Sequence, residues 1–63
     1  MILKQYLYFE FKRENSDCID AVFVELSEIN TMHVENGDTV FITMKDGCTM
    51  IYTNISNLMI TWE

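Results

Sequence analysis

The sequence predicts an all-β domain, either a small antiparallel barrel or a strongly curved meander sheet, on three observations. The N-terminal residues alternate in polarity, as a strand with two different faces does. Two Gly-containing turns, Asn36-Gly37 and Asp46-Gly47, lie within Val34–Thr53 and supply the positive φ angles that tight hairpins need. The residues between those turns alternate and are rich in Val, Ile, Thr and Phe, types that suit a pleated surface.

The first strand is expected over Ile2–Lys12. Leu3, Leu7, Phe9 and Phe11 fall on one face, and Ile2, Lys4, Tyr6, Tyr8, Glu10 and Lys12 on the other. The polar cluster Arg13–Asp17 then reads as a loop. Cys18–Leu26 carries two patterns. Ile19, Val22, Phe23 and Leu26 have helical spacing, with Ser16 or Asp17 as an N-cap, while Ile19, Ala21 and Phe23 also alternate with Asp20, Val22 and Val24. The β-rich run Val22-Phe23-Val24 favours a strand, and one short helix near 17–28 is the alternative. Ser27-Glu28 is then a bend and Ile29–Val34 a short strand.

Two-residue turns at both glycines set the expected pairing. The first places Val34 opposite Thr39, His33 opposite Val40 and Met32 opposite Phe41. The second places Thr43 opposite Met50, Ile42 opposite Ile51 and Phe41 opposite Tyr52. One face then gathers Ile29, Val40, Ile42, Met44 and Ile51, and the other Met32, Val34, Phe41, Met50 and Tyr52, so neither face is polar. Asn57–Glu63 adds a last strand with Leu58, Ile60 and Trp62 on one side and Met59 and Thr61 on the other. A sheet that is apolar on both faces has to be covered twice, by its own strands or by a second subunit.

The 63 residues are expected to form a single domain spanning 1–63. A chain of this length buries only about 60% of its unfolded surface, so its core is marginal. With 49% hydrophobic and 13% aromatic residues, apolar surface is left over, which points to a homo-oligomer. The net charge of −6 and the lack of Lys or Arg between Arg13 and Lys45 argue against nucleic acid, whose phosphates need basic side chains. They favour ordinary solubility or a basic protein partner.

Cys18 and Cys48 stand alone, without a CxxC or Cys/His cluster, and read as free packed thiols in a reducing cytoplasm. The N-terminus lacks the apolar run and small-residue cleavage site of a signal peptide, and no stretch approaches the roughly 20 apolar residues that span a bilayer. The chain is therefore expected to be soluble and cytoplasmic, with no membrane partner.

No catalytic, cofactor or metal constellation emerges. His33 is the single histidine, and with Glu35 it falls short of a metal shell. Both glycines serve turns, so no phosphate loop is available. The expected role is a non-catalytic protein–protein interaction module. It would be an accessory or inhibitory protein, of phage or mobile-element type by its size, docking on a basic site of a larger partner. Phe41, Met50, Tyr52 and Trp62 would supply an apolar patch, and Asp17, Asp20, Glu25 and Glu28 the acidic steering. Thr39–Thr61 resembles, in outline, the strand–DG–strand–loop–strand of Sm-like barrels, and the whole has an SH3-like or Sm-like outline. That resemblance implies the alternative, an oligomeric nucleic-acid-binding protein stacking bases on Tyr6 and Tyr8 beside Lys12 and Arg13. Leu26–Ile29 followed by a hairpin also looks like the β-rich part of response-regulator DNA-binding domains.

Overall fold

The computed structural model describes residues 3–63. Its strands are β1 (Gln5–Lys12), β2 (Ile19–Glu25), β3 (Ile29–Glu35), β4 (Thr39–Met44), β5 (Thr49–Tyr52) and β6 (Ile55–Trp62). A single 3₁₀ turn, Leu26–Glu28, joins β2 to β3. The helical spacing at 18–26 thus yields to the β-branched run, and only the bend at 26–28 is helical. The expected start of the first strand at Ile2 lies outside the described residues.

The strands form two three-stranded antiparallel sheets, ordered β2-β1-β6 and β3-β4-β5, not a closed barrel. An isolated bond joins the sheets where a barrel would need a ladder: Ile55 N–H donates to the Asp38 carbonyl at 3.0 Å, while the Lys45 N–H bond to the Glu28 carbonyl at 2.9 Å only extends the β3–β4 ladder. The chain crosses to the second sheet through the 3₁₀ turn and returns through Asn54, whose φ of 56° turns the corner. Asn15, Asn36 and Asn57 also adopt positive φ, so asparagines do much of the sharp turning in a chain with two glycines.

The hairpin register departs from expectation, with a large consequence. Asn36 and Gly37 take φ of 54° and 72°, as a two-residue turn requires. Asp38 then stands as an extra residue, and the ladder resumes at Glu35 opposite Thr39. The second hairpin closes over Lys45-Asp46-Gly47, with Met44 N–H donating to the Cys48 carbonyl at 2.7 Å. In both hairpins the expected pairing slips by one. Val34 now faces Val40, Met32 faces Ile42, and these in turn face Tyr52 and Met50. A slip of one residue exchanges faces. Val40, Ile42 and Met44 therefore join Met32, Val34, Met50 and Tyr52 on the inner side. Phe41 and Ile51 go outside, with His33, Thr31, Thr43 and Thr49. The expectation of two apolar faces is thus overturned: this sheet has an apolar inner face and a mostly polar outer one.

Leu7, Phe9, Val24, Val40, Ile42 and Ile55 are buried between the sheets. The Phe9 and Phe11 rings each meet Tyr52 at 5.0 Å between centroids, an edge-to-face or tilted packing that aromatic quadrupoles favour. The molecule is long, 40 × 25 × 18 Å, with a radius of gyration of 12.2 Å, where a compact chain of this length would have roughly 11 Å. The elongation is visible at one end of the first sheet. Ile60 lies beside the buried Leu7 and Trp62 beside Gln5, so both point inward. Yet Ile60 is 48% and Trp62 58% exposed, because the second sheet does not close over them.

Candidate interaction surface

The outer face of the first sheet is built by the same alternation that buries Leu7 and Phe9. Tyr8, between them on the central strand, must point out. Its neighbours in register are Phe23 on β2 and Met59 on β6, so three large apolar side chains form one row across the sheet. The Tyr8 and Phe23 rings lie 4.9 Å apart. Phe23 is 53% and Met59 50% exposed. With Thr61 and Glu63, these three side chains line a shallow depression.

Carboxylates flank this row. Glu25 sits beside Tyr6 one row along, and pairs with Lys4 Nζ at 3.4 Å. Glu10 lies on the other side, where it accepts a bond from the Tyr8 hydroxyl and one from Asn57 Nδ2 at 2.7 Å. Asn57 comes within reach because the β1–β6 register shifts beside it and its φ of 54° turns the strand. The Tyr8 and Asn57 bonds hold the Glu10 carboxyl below its ordinary range, and Glu10 in turn pushes the Tyr8 hydroxyl up.

The signs of the two shifts give opposite pH windows. Glu10 is depressed in the folded state, so its contribution is present above the unfolded carboxylate value and lost as pH falls through the folded one. Tyr8 is raised, so its contribution is present below the unfolded tyrosine value and lost as pH rises through the folded one. Tyr8→Phe is therefore expected to raise the Glu10 titration midpoint toward the ordinary carboxylate range, read from the side-chain ¹³C shift. An unmoved midpoint would contradict the bond.

The four residues expected to form one apolar patch are not brought together. Met50 and Tyr52 pack against the core. Phe41 lies half-buried on the outer face of the second sheet, its ring 6.1 Å from His33, and Trp62 projects from the far end of β6. The acidic set is likewise dispersed and partly neutralised. Asp20 pairs with Arg13, and Asp17 with Lys12 at 4.0 Å, while Glu28 lies in the 3₁₀ turn. Tyr6 and Tyr8 do share the outer face of β1 with Lys12, as the alternation predicts. The two cations beside them, Lys12 and Arg13, are each occupied by a carboxylate.

His33 stands opposite Phe41 rather than Val40, and its Nε2 lies 3.4 Å from Glu35 Oε1. Among the described residues, no group of three or more His, Cys, Asp or Glu side chains could hold a metal ion. Cys18 and Cys48 are free, but exposed rather than packed as expected. Each follows a tight polar turn, where Ser16 Oγ and the Asp46 carboxylate accept their backbone N–H bonds. The Asp46 carboxylate raises the Cys48 thiol, which disfavours the reactive thiolate. No helix among the described residues is long and apolar enough to cross a membrane.

Sequence reasoning missed Phe23 and Met59 as surface residues. The alternation placed Tyr8 outward, but only the strand order β2-β1-β6 sets these two at its sides, and that order is a non-local property. Comparison of the chain with protein-family models, curated proteins and solved structures finds no match.

Proposed function

We propose that the protein is a non-catalytic interaction module that docks, through the outer face of its first sheet, on a basic surface of another protein. The observation that carries this reading is the uncovered row Phe23–Tyr8–Met59 with Glu10, in no ion pair among the described residues, on one flank and the Lys4-paired Glu25 on the other. Large, stiff aromatic side chains supply affinity at small entropic cost, and carboxylates at the rim select a cationic partner. A guanidinium set over the Tyr8 and Phe23 rings gains a cation–π contact, while Glu10, already held ionised and in place, accepts its N–H bonds. An accessory or inhibitory role follows in kind, because such a module acts by covering a basic site.

Affinity capture from the source cell tests the reading with three baits: the unaltered protein, Phe23→Ser, and Phe41→Ser on the opposite side of the molecule. The expected result is a Lys/Arg-rich protein held by the unaltered chain and by Phe41→Ser, lost with Phe23→Ser, and weakened as salt rises. Retention of the same partner by a folded Phe23→Ser variant would refute the assignment of this face.

A further inference from the structure

We infer that two copies of this chain pair through β6, joining their first sheets edge to edge into one antiparallel sheet. This goes beyond the docking face above and uses a different surface.

β6 is an edge strand, and its free side can be read from the ladder. Lys4 and Glu63 exchange both backbone bonds, at 2.7 and 2.9 Å. In an antiparallel pair such residues alternate with pairs that exchange none. The N–H and C=O of Trp62, and by the same alternation those of Ile60, therefore point away from β1 to the open edge. The near end of that edge is closed, since Ile55 N–H donates to the Asp38 carbonyl. Beyond it lie Leu58, Ile60 and Trp62, 38%, 48% and 58% exposed. They continue into an apolar groove floored by Leu7 and walled by Leu26, Ile29 and Met32.

Three considerations select a second copy as the occupant. An antiparallel strand pair has a two-fold axis, so an edge is complementary to its own copy. Centred on Ile60, the pairing sets Ile60 against its equivalent and Trp62 of one copy opposite Leu58 of the other. Charge points the same way. Each copy carries −6, and like charges at a contact repel. Among the edge strands, β2 carries Asp20 and Glu25, β3 carries His33 and Glu35, and β5 spans only Thr49–Tyr52. β6 carries neither a charge nor a proline, two usual guards of a free edge, and beyond the irregularity at Asn57 its stretch Leu58–Trp62 is free to pair. Finally, the open fractions of Leu3, Met32, Leu58, Ile60 and Trp62 amount to roughly 500 Å² per copy, so the pair has at most about 1,000 Å² of apolar side chain to bury, the size at which specific interfaces begin.

Sedimentation velocity over a concentration series, with amide hydrogen exchange at the highest concentration, tests the inference. The expected results are a species of twice the 7.5 kDa chain mass and slowed exchange at Ile60 and Trp62, although neither amide faces β1. Trp62→Lys, at an exposed position, is expected to give a folded monomer with fast exchange at Ile60, while Phe23→Ser stays dimeric. A monomer at every concentration, an open-ended assembly, or a dimer with fast exchange at both amides would each overturn the inference. So would a folded Trp62→Lys variant that remains dimeric, or loss of the dimer in Phe23→Ser.

Discussion

Val40→Lys is expected to unfold the protein, whereas Phe41→Lys, one residue along the same strand, is expected to cost no more than about 1 kcal/mol. Val40 has no exposed surface and sits between Val34 and Tyr52 in the inner layer. Phe41 lies between His33 and Ile51 on the outer side. A lysine at Val40 must either bury its ammonium without a partner or displace the core, at a cost of several kcal/mol. At roughly 0.05–0.15 kcal/mol per residue, a domain of this length has only about 3–9 kcal/mol to lose. Urea titration followed by circular dichroism separates the two variants. Equal loss in both, or greater loss in Phe41→Lys, would mean that the two-residue-turn register is the true one.

Phe9→Ala is the second large effect. Phe9 is fully buried on the central strand of the first sheet, and its ring meets the edge of Tyr52 across the core. Truncating a buried Phe to Ala costs about 3–5 kcal/mol, the lost transfer free energy plus the cavity left behind. That is comparable with the whole stability of the domain, so the variant is expected to lose its cooperative thermal transition at 25 °C and above. Phe9→Leu keeps most of the volume and is expected to fold with a lowered midpoint. A Phe9→Ala variant that melts near the parent would show that the two sheets do not depend on this ring for their packing.

The elements were legible in the sequence because alternation is a local signal. It places Leu7 and Phe9 inside and Tyr8 outside, and it separates strand from helix at Ile19–Glu25 once Val22-Phe23-Val24 is weighed. The hairpin register was not legible. Asn36-Gly37 turns as its residues suggest, but the Asp38 carbonyl is taken by Ile55 N–H from far along the chain. No local rule anticipates that partner, and the ladder resumes one residue late. At the second hairpin, Gly47 with φ of 96° and the Asp46 carboxylate bound to Cys48 N–H favour the longer turn. Each slip moves whole sets of side chains between faces. That is why Val40, Ile42 and Met44 join Met50 and Tyr52, expected on a docking patch, on the face that packs against the core, and why the second sheet has one apolar face instead of two. The surplus of hydrophobic residues follows from composition, and most of it resides on the first sheet, with Phe23 and Met59 outside and Ile60 and Trp62 on the open inner end, while Met32 and Ile51 are exposed on the second.

Hydroxyl-radical labelling of the protein alone and in complex with its captured partner tests the docking assignment most directly. Oxidation of Phe23, Met59 and Tyr8 is expected to fall on binding, while Phe41 on the far side reacts as in the free protein. Unchanged oxidation of Phe23 and Met59, with protection at Phe41 instead, would contradict it.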